Sequence, residues 1–473
     1  MSRSLTKRVL LYWVSTLLGL TVTLTACGVV VRGVSEGITA VGNSALFHRG
    51  RHGQLTAQEH TWAKVAWQYF TNNYNPQTGL TNSVDRYATT TMWHVADALA
   101  ALVAAHELQL VDRHEFDTRV SKLLHFLNTM PLFGGRLPNT VYNASTGAMV
   151  NYGNQPEEVG WSAIDLGRLL IWLRLIAEQY PEFSEYIDKA VLRWNFCEVL
   201  DRCGTLYGGV KIRDNLQIYQ EGRLGYEEYA AMGYQSWGFN TARASSLAPY
   251  EVVNIYGIEI LHDGRDPRQT GTPAPILSLP YILHGLEFDW EPVAATPGLD
   301  GRPARWQMAD LAERIYKVQE ARYNREKIFT ARTDHQLSRP PFFVYDSIFA
   351  AGYAWNTIAD NGNFHPEAAL VATRAVFGLW VLWRTAYTDA LLTVVNTLYD
   401  PERGWYEGRY EQTGGYDETI TCTTNALILE TLLYKVRGTI FRPTPQEHYF
   451  QRRLEDVFHW PGRCLPPERE QCE

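Results

Sequence analysis

The chain has 473 residues, 45% hydrophobic and 20% charged, which is long enough for a sizeable core and excludes a disordered or collagen-like polymer. A formal net charge of −8 excludes a fold-wide basic footprint, so no nucleic-acid partner is expected. Aromatic residues reach 13%, with 15 Trp and 27 Tyr, a composition suited to stacking on flat or ring-shaped ligands.

Residues 1–26 read as an address. Arg3, Lys7 and Arg8 precede an apolar, small-residue run from Leu10 to Ala26, the pattern of a secretory signal. Leu24-Thr-Ala-Cys27 resembles a bacterial lipobox, which implies a diacylglycerol on Cys27 and membrane attachment through it. An uncleaved anchor is the alternative, because the run just reaches spanning length. Either arrangement leaves the remainder outside the cytoplasm, and Gly28 after Cys27 points to the periplasmic face of the outer membrane. Residues 27–55 are Gly-rich and aperiodic and read as a tether.

Helical periodicity then dominates. Helices are expected near 57–72, 91–108, 114–128, 160–178, 182–200, 225–237, 306–325, 367–384, 386–398 and 422–436. Segments 243–260 and 279–289 are ambiguous, and short hairpins are expected near 137–152 and 403–418. Gly134-Gly135, Gly208-Gly209 and Pro340-Pro341 read as breaks between elements. Six similar segments begin near 91, 160, 225, 279, 367 and 423, at intervals of about 66 residues. Two helices per interval predict a mainly all-α domain over 56–440, an (α/α)6 toroid whose long loops and short hairpins gather at a cleft mouth. Residues 441–473 form a Pro- and Arg-rich tail.

Cysteine spacing fits an oxidising compartment. Cys197 with Cys203, and Cys464 with Cys472, are close enough in sequence to close two local disulfides. Cys422 is expected to be a buried, inert thiol. No Cys or His cluster has metal-ligand spacing, and no phosphate loop or nucleophile elbow occurs, so neither a metal nor a cofactor is expected. Asp360-Asn-Gly-Asn363 is read as a turn rather than a calcium loop.

Carboxylates and aromatics cluster in the loops before the inner helices. They lie in 74–93, 151–165, 221–231, 283–290 and 404–425. Glycoside hydrolysis needs a carboxyl to protonate the leaving oxygen and a second to activate water or attack. Glu221, in a Gly-bearing loop ahead of an apolar helix, is the candidate acid; capping that helix or pairing with Arg223 is its structural alternative. Glu157 and Asp165 are candidates for the opposing carboxyl, although Asp165 is also spaced for an ion pair with Arg168. Asp85, Trp93, Trp161, Arg223, Tyr226, Glu228, Trp290, Trp355, Trp405 and Glu407 are candidate sugar contacts. Trp62, Trp67, Trp172, Trp194, Trp380 and Trp383 fall inside helical patterns and read as core.

These loops resemble the bacterial family called domain of unknown function 3131. The likeness runs from about Thr61 to Lys435 and is carried by Tyr152-Gly-Asn-Gln-Pro, Gly160-Trp-Ser-Ala-Ile-Asp-Leu-Gly-Arg168, Glu221-Gly-Arg-Leu-Gly-Tyr-Glu-Glu-Tyr229, Gly257-Ile-Glu-Ile and Arg339-Pro-Pro-Phe-Phe-Val-Tyr345. The chain departs from the family pattern at His94, Leu279 and His284, where the family commonly carries acids. More distantly the resemblance extends to glucoamylase-like (α/α)6 enzymes, including the β-1,2-glucanases, by fold analogy. It implies a glycoside hydrolase or transglycosylase acting on a glucan-like polysaccharide or oligosaccharide. A non-catalytic polysaccharide-binding lipoprotein and a polysaccharide lyase are the alternatives.

Overall fold

The computed structural model describes residues 50–247, 249–265, 274–291, 304–443 and 462–469. The signal segment, Cys27 and most of the tether and tail therefore lie outside the described residues.

Eleven α-helices are described: α1 (Ala57–Asn72), α2 (Met92–Glu107), α3 (Arg113–Thr129), α4 (Ala163–Gln179), α5 (Ser184–Leu192), α6 (Tyr226–Ser236), α7 (Leu279–Phe288), α8 (Ala304–Glu326), α9 (Thr373–Leu382), α10 (Ala386–Val395) and α11 (Cys422–Arg437). Side-chain oxygens start several of them. Thr56 and Glu59 form a capping box on α1, and Thr91, Ser162 and Thr421 accept N–H groups at the starts of α2, α4 and α11. Helices α2, α4, α6, α7, α9 and α11 contact one another in that order, and α11 contacts α2. α1, α3, α5, α8 and α10 each pack against a member of this set. Small residues permit the close approach. α2 buries Ala96, Ala100, Ala101, Ala104 and Ala105 completely. Gly167 of α4 faces α6 so closely that a Cβ there would lie 2.6 Å from the Ala230 carbonyl, and a Cβ on Gly233 would fall on the Gly167 carbonyl. Gly233→Ala is accordingly expected to lose about 1–3 kcal/mol of stability through overpacking, measured by chemical denaturation.

The described strands form small antiparallel sheets. β1 (Thr89–Thr91) pairs with β2 (Val141–Asn143), and β3 (Gly160–Trp161) pairs with β4 (Tyr207–Ile212), which hairpins to β5 (Asn215–Gln220). β6 (Tyr250–Ile255) hairpins to β7 (Ile258–Asp263). β8 (Asp334–Gln336), β9 (Phe343–Asp346) and β10 (Thr357–Ile358) make a sheet in that order. β11 (Leu370–Ala372) and β12 (Tyr399–Asp400) flank β13 (Gly404–Tyr410), which also pairs with β14 (Tyr416–Ile420). The expected hairpin near 403–418 is β13–β14.

Several expectations need correction. The helix over 182–200 stops at Leu192. Trp194 and Phe196 then bury, and the amides of Asn195 and Phe196 bond to the Arg136 and Arg463 carbonyls. Segment 243–260 contains β6 and the start of β7, because Tyr256 and Gly257 both take positive φ (57° and 87°) and turn a β-branched run back on itself. The helix expected from 367 starts at Thr373, after a short 3-10 turn and β11. Gly208-Gly209 is no break: both glycines lie within β4. The end of the tether is docked, with Arg51 N–H on the Val381 carbonyl and Gly53 N–H on that of Lys435.

The disulfide pairing is also different. Cys197 joins Cys464 across 267 residues, with Cα atoms 5.0 Å apart, so neither local loop closes as expected. Cys203 is itself disulfide-bonded, and Cys472 lies outside the described residues. The fold brings residues 193–203 against 462–469, where Arg469 donates to the Leu200 and Asp201 carbonyls. Spatial proximity, rather than sequence spacing, selects the partner. Cys422 is a free, buried thiol, as expected. All six Trp assigned to the core are buried.

Candidate active site

Glu221 follows directly from β5, and its carboxylate reaches the N-terminus of α4. Its Oε2 accepts the Ala163 amide at 2.5 Å. Ser162 and Ile164 add further hydrogen bonds. The helix-capping alternative is thus realised, but on α4 rather than on the helix that follows Glu221. Hydrogen bonds at a helix start favour the ionised form. Burial outweighs them and, with the neighbouring Asp165 charge, raises Glu221 to about 7. Asp165, in the first turn of α4, bonds Ser162, Thr91 and the Trp93 amide, yet burial raises it to about 6. Both side chains are only half-buried, so the pair borders open space. Two adjacent carboxyls pushed up together are a proton-handling arrangement.

Gly208 explains how Glu221 gets there. A Cβ at Gly208 would lie 2.6 Å from Glu221 Oε2 and 2.9 Å from Tyr219. At Gly209 a Cβ would fall within the Trp161 ring. The glycine pair lets β4 pass beneath a carboxylate on one residue and an indole on the next. Gly208→Ala is expected to displace the Glu221 carboxylate and reduce any Glu221-dependent activity at least tenfold with the fold retained; activity and circular dichroism measured together would check this.

Aromatics surround the pair. Tyr152, on the 151–159 loop, is 66% exposed and lies within electrostatic reach of Asp165, Glu221 and Asp360. Tyr219 of β5 borders Glu221. Trp93 is half-buried, with its ring 5.7 Å from Tyr226, and Tyr226 donates its hydroxyl to Asp334 Oδ1 at 3.1 Å. Arg374 faces Asp334 at 3.7 Å and Glu407 at 3.8 Å. Asp360 bonds the Tyr345 hydroxyl, and Tyr345 is in turn within reach of Tyr152 and Asp334. Sequence reasoning missed Tyr152, Tyr219, Asp334, Tyr345 and Asp360 as site residues. Tyr152 stands in a loop singled out for its composition, whereas Asp334 and Tyr345 come together only through the β8–β9 pairing.

Beneath the site, Arg168 is 1% exposed and does not pair with Asp165. Its guanidinium instead meets Asp97 at 2.8 Å, Glu287 at 2.8 Å and Glu430 at 2.7 Å, and donates to the Tyr229 hydroxyl. It also lies 5.0 Å below the Trp93 ring. This cluster joins α2, α4, α6, α7 and α11. Burial raises Glu287 and Glu430 and outweighs the opposing pull of the Arg168 guanidinium.

The other expected contacts have these partners in the fold. Glu157 is exposed and bonds Asn151 Nδ2 at 2.7 Å, so Asp165 is the carboxyl beside Glu221. Asp85 is paired with Arg403 at 2.7 Å and with Asn73. Trp161, Trp290 and Trp405 are buried, each donating its indole N–H to a backbone carbonyl, which leaves no ring face for a ligand. Trp355 stacks on Tyr256 and lies under Arg322. Arg223 donates to Gln220 and Gly222. Glu228 accepts the Gly225 amide at the start of α6. Glu407 is fully buried and takes the Thr421 and Thr424 hydroxyls. His94 occupies the third position of α2, where its ring and the Thr91 side chain form a reciprocal cap; burial lowers it to about 4, so it is neutral. Leu279 is a buried first residue of α7, and burial lowers His284 to about 4 as well.

Among solved structures, the fold is similar to a candidate glucoamylase from Bacteroides caccae at 13% identity and TM-score 0.56, covering 87% of this chain and 98% of that one. It is similar to an endo-β-1,2-glucanase from Chitinophaga pinensis, in complex with sophorotriose and glucose, at 13% identity and TM-score 0.54, over 82% of this chain and 94% of that one. A β-1,2-glucanase from Parabacteroides distasonis matches at 12% identity and TM-score 0.52, over 82% of this chain and 58% of that one. At these identities the likeness is one of fold. No curated protein matches the sequence significantly. The family described as "Protein of unknown function (DUF3131)" matches residues 61–438, the span that carries the ring of helices and the carboxyl pair, and the chain belongs to that family.

Proposed function

We propose that the chain is a glycoside hydrolase acting on a glucan-like polysaccharide, built as an (α/α)6 toroid with Glu221 as the general acid and Asp165 as the second carboxyl. The observation that carries this reading is the half-buried Glu221–Asp165 pair, held at the start of α4 and raised to about 7 and about 6. Near pH 6.5 such a pair holds one proton between its members, as acid–base cleavage of a glycosidic bond requires. Tyr152, Tyr219, Trp93 and Tyr226 supply ring faces and hydroxyls for pyranose units. The order of the inner helices and the likeness to glucanase and glucoamylase folds support the toroid and the substrate class.

The test incubates the protein with a panel of glucans, β-1,2-glucan included, and measures released reducing ends and transfer products. Release by the parent and its loss in Glu221→Gln support the assignment; transfer products without new reducing ends move it to a transglycosylase. Binding without either product favours the non-catalytic polysaccharide-binding reading. We also propose attachment through a lipid on Cys27 at the periplasmic face of the outer membrane, supported by Leu24-Thr-Ala-Cys27. Labelled fatty acid incorporated by the parent and absent from Cys27→Ser is the expected result.

A further inference from the structure

The segment after β9 leaves two aromatic rings uncovered. Tyr353 is 62% exposed and Phe364 50%, and their rings meet edge to face at 5.8 Å. Tyr353 sits on a tight hairpin in which Phe349–Ala350 pairs with Tyr353–Ala354, turned by Ala351 and Gly352 at positive φ. Phe364 is held by its backbone bridge to Ile358 of β10. By contrast Trp355, two residues further on, is covered by Tyr256 and Arg322. Tyr353 and Phe364 differ from other exposed aromatics such as Tyr186 and Phe342 in that their two rings meet each other.

Its position ties it to the carboxyl pair. Asp360 lies between Tyr353 and Phe364 in sequence, bonds the Tyr345 hydroxyl and lies within electrostatic reach of Tyr152. Tyr152 in turn reaches Glu221 and Asp165. Phe364 bridges Ile358, which pairs with Tyr345 of β9, so the backbone under the exposed pair adjoins the strand that carries Tyr345. Asp360, Asn361 and Asn363 add exposed polar groups beside the rings. Apolar faces edged by carboxylate and amide groups match a pyranose, which is apolar on its C–H face and ringed by hydroxyls. A folded protein partner would need roughly 800 Å² on each side, far more than two rings offer.

We propose that Tyr353 and Phe364 form an outlying sugar-binding platform that holds a distant residue of the same carbohydrate chain that Glu221 and Asp165 act on. The inference rests on the glycoside-hydrolase reading and adds to it a substrate class: an extended chain of several residues rather than a disaccharide. A short oligomer at the carboxyl pair does not reach the platform, whereas a longer chain occupies both places.

The test uses the full chain in detergent solution with Glu221→Gln in the background, so that ligand is not consumed. Binding of β-1,2-linked glucose oligomers from the disaccharide upward, and of the polymer, is measured by calorimetry. Adding Tyr353→Ala and Phe364→Ala is expected to weaken the long oligomers and the polymer about tenfold and to leave the disaccharide unchanged. Tyr353→Trp is expected to restore long-chain affinity. Both rings are exposed, so the melting temperature should not move, which separates lost binding from lost folding. Equal weakening at every length, or no change at any length, overturns the platform while leaving the hydrolase reading in place. If the folded Glu221→Gln protein binds neither these ligands nor any other polymer of the glucan panel, the hydrolase reading fails and the platform fails with it.

Discussion

Glu221→Gln is expected to lower glucan cleavage by about two to four orders of magnitude, the contribution of a positioned general acid. The amide still accepts the Ala163 N–H, so the start of α4 should keep its cap and the fold should survive. The pH dependence is the sharper test. A mechanism that needs Glu221 protonated and Asp165 ionised gains rate as pH rises through about 6 and loses it above about 7. The two carboxyls interact, so these limbs belong to the pair. Asp165→Asn removes a negative charge that helps hold Glu221 up. The falling limb should therefore move to lower pH in that variant, along with a loss of rate. A falling limb that stays near 7 without the Asp165 charge would show that the two carboxyls do not communicate, and Asp165 would lose its assigned role.

The largest expected stability effect belongs to Arg168. Arg168→Met leaves Asp97, Glu287 and Glu430 buried around an apolar side chain of similar length. Removing one partner from a buried ionic cluster costs about 3–5 kcal/mol, because the remaining charges are neither solvated nor paired. The sign of the pH dependence follows from linkage. Burial already raises Glu287 and Glu430, and without the cation that opposes it they are held protonated in the folded state and ionise freely when unfolded, so their folded pKa values lie above the unfolded ones. The native state then binds more protons, and stability falls as pH rises above the ordinary carboxylate range. The deficit should accordingly be larger at pH 8 than at pH 5, read as denaturation midpoints at the two values. A deficit below about 1 kcal/mol and flat with pH would show that the cluster is solvated in solution.

The carboxyl pair was half legible in the sequence. Glu221 and Asp165 stand out because each lies in a Gly- and Tyr-bearing stretch at the start of an apolar helical pattern. That they meet was not legible, because 56 residues and a hairpin separate them and the join depends on Gly208 lacking a side chain. The aromatic assignments divided for the same reason. Trp161, Trp290 and Trp405 lie at loop–helix junctions, yet glycines opposite Trp161 and Trp290 open room for those two indoles inside the fold, and Trp405 packs among Trp62, Phe377 and Tyr399. Tyr152, in a loop, and Tyr353, on a short exposed hairpin, keep their rings outside.

By itself the sequence determined the helical character, most helix starts and the polar loops ahead of the inner helices. These depend on interactions within a few residues: the 3.6-residue period, Thr and Ser caps, and glycines at turns. Only the tertiary structure decided which cysteine joins Cys197, which carboxyls surround Arg168 and which stands beside Glu221. Each of those choices is made across tens to hundreds of residues, by a closed set of packed helices that brings distant side chains into one low-dielectric space, where burial and neighbouring charge set their protonation.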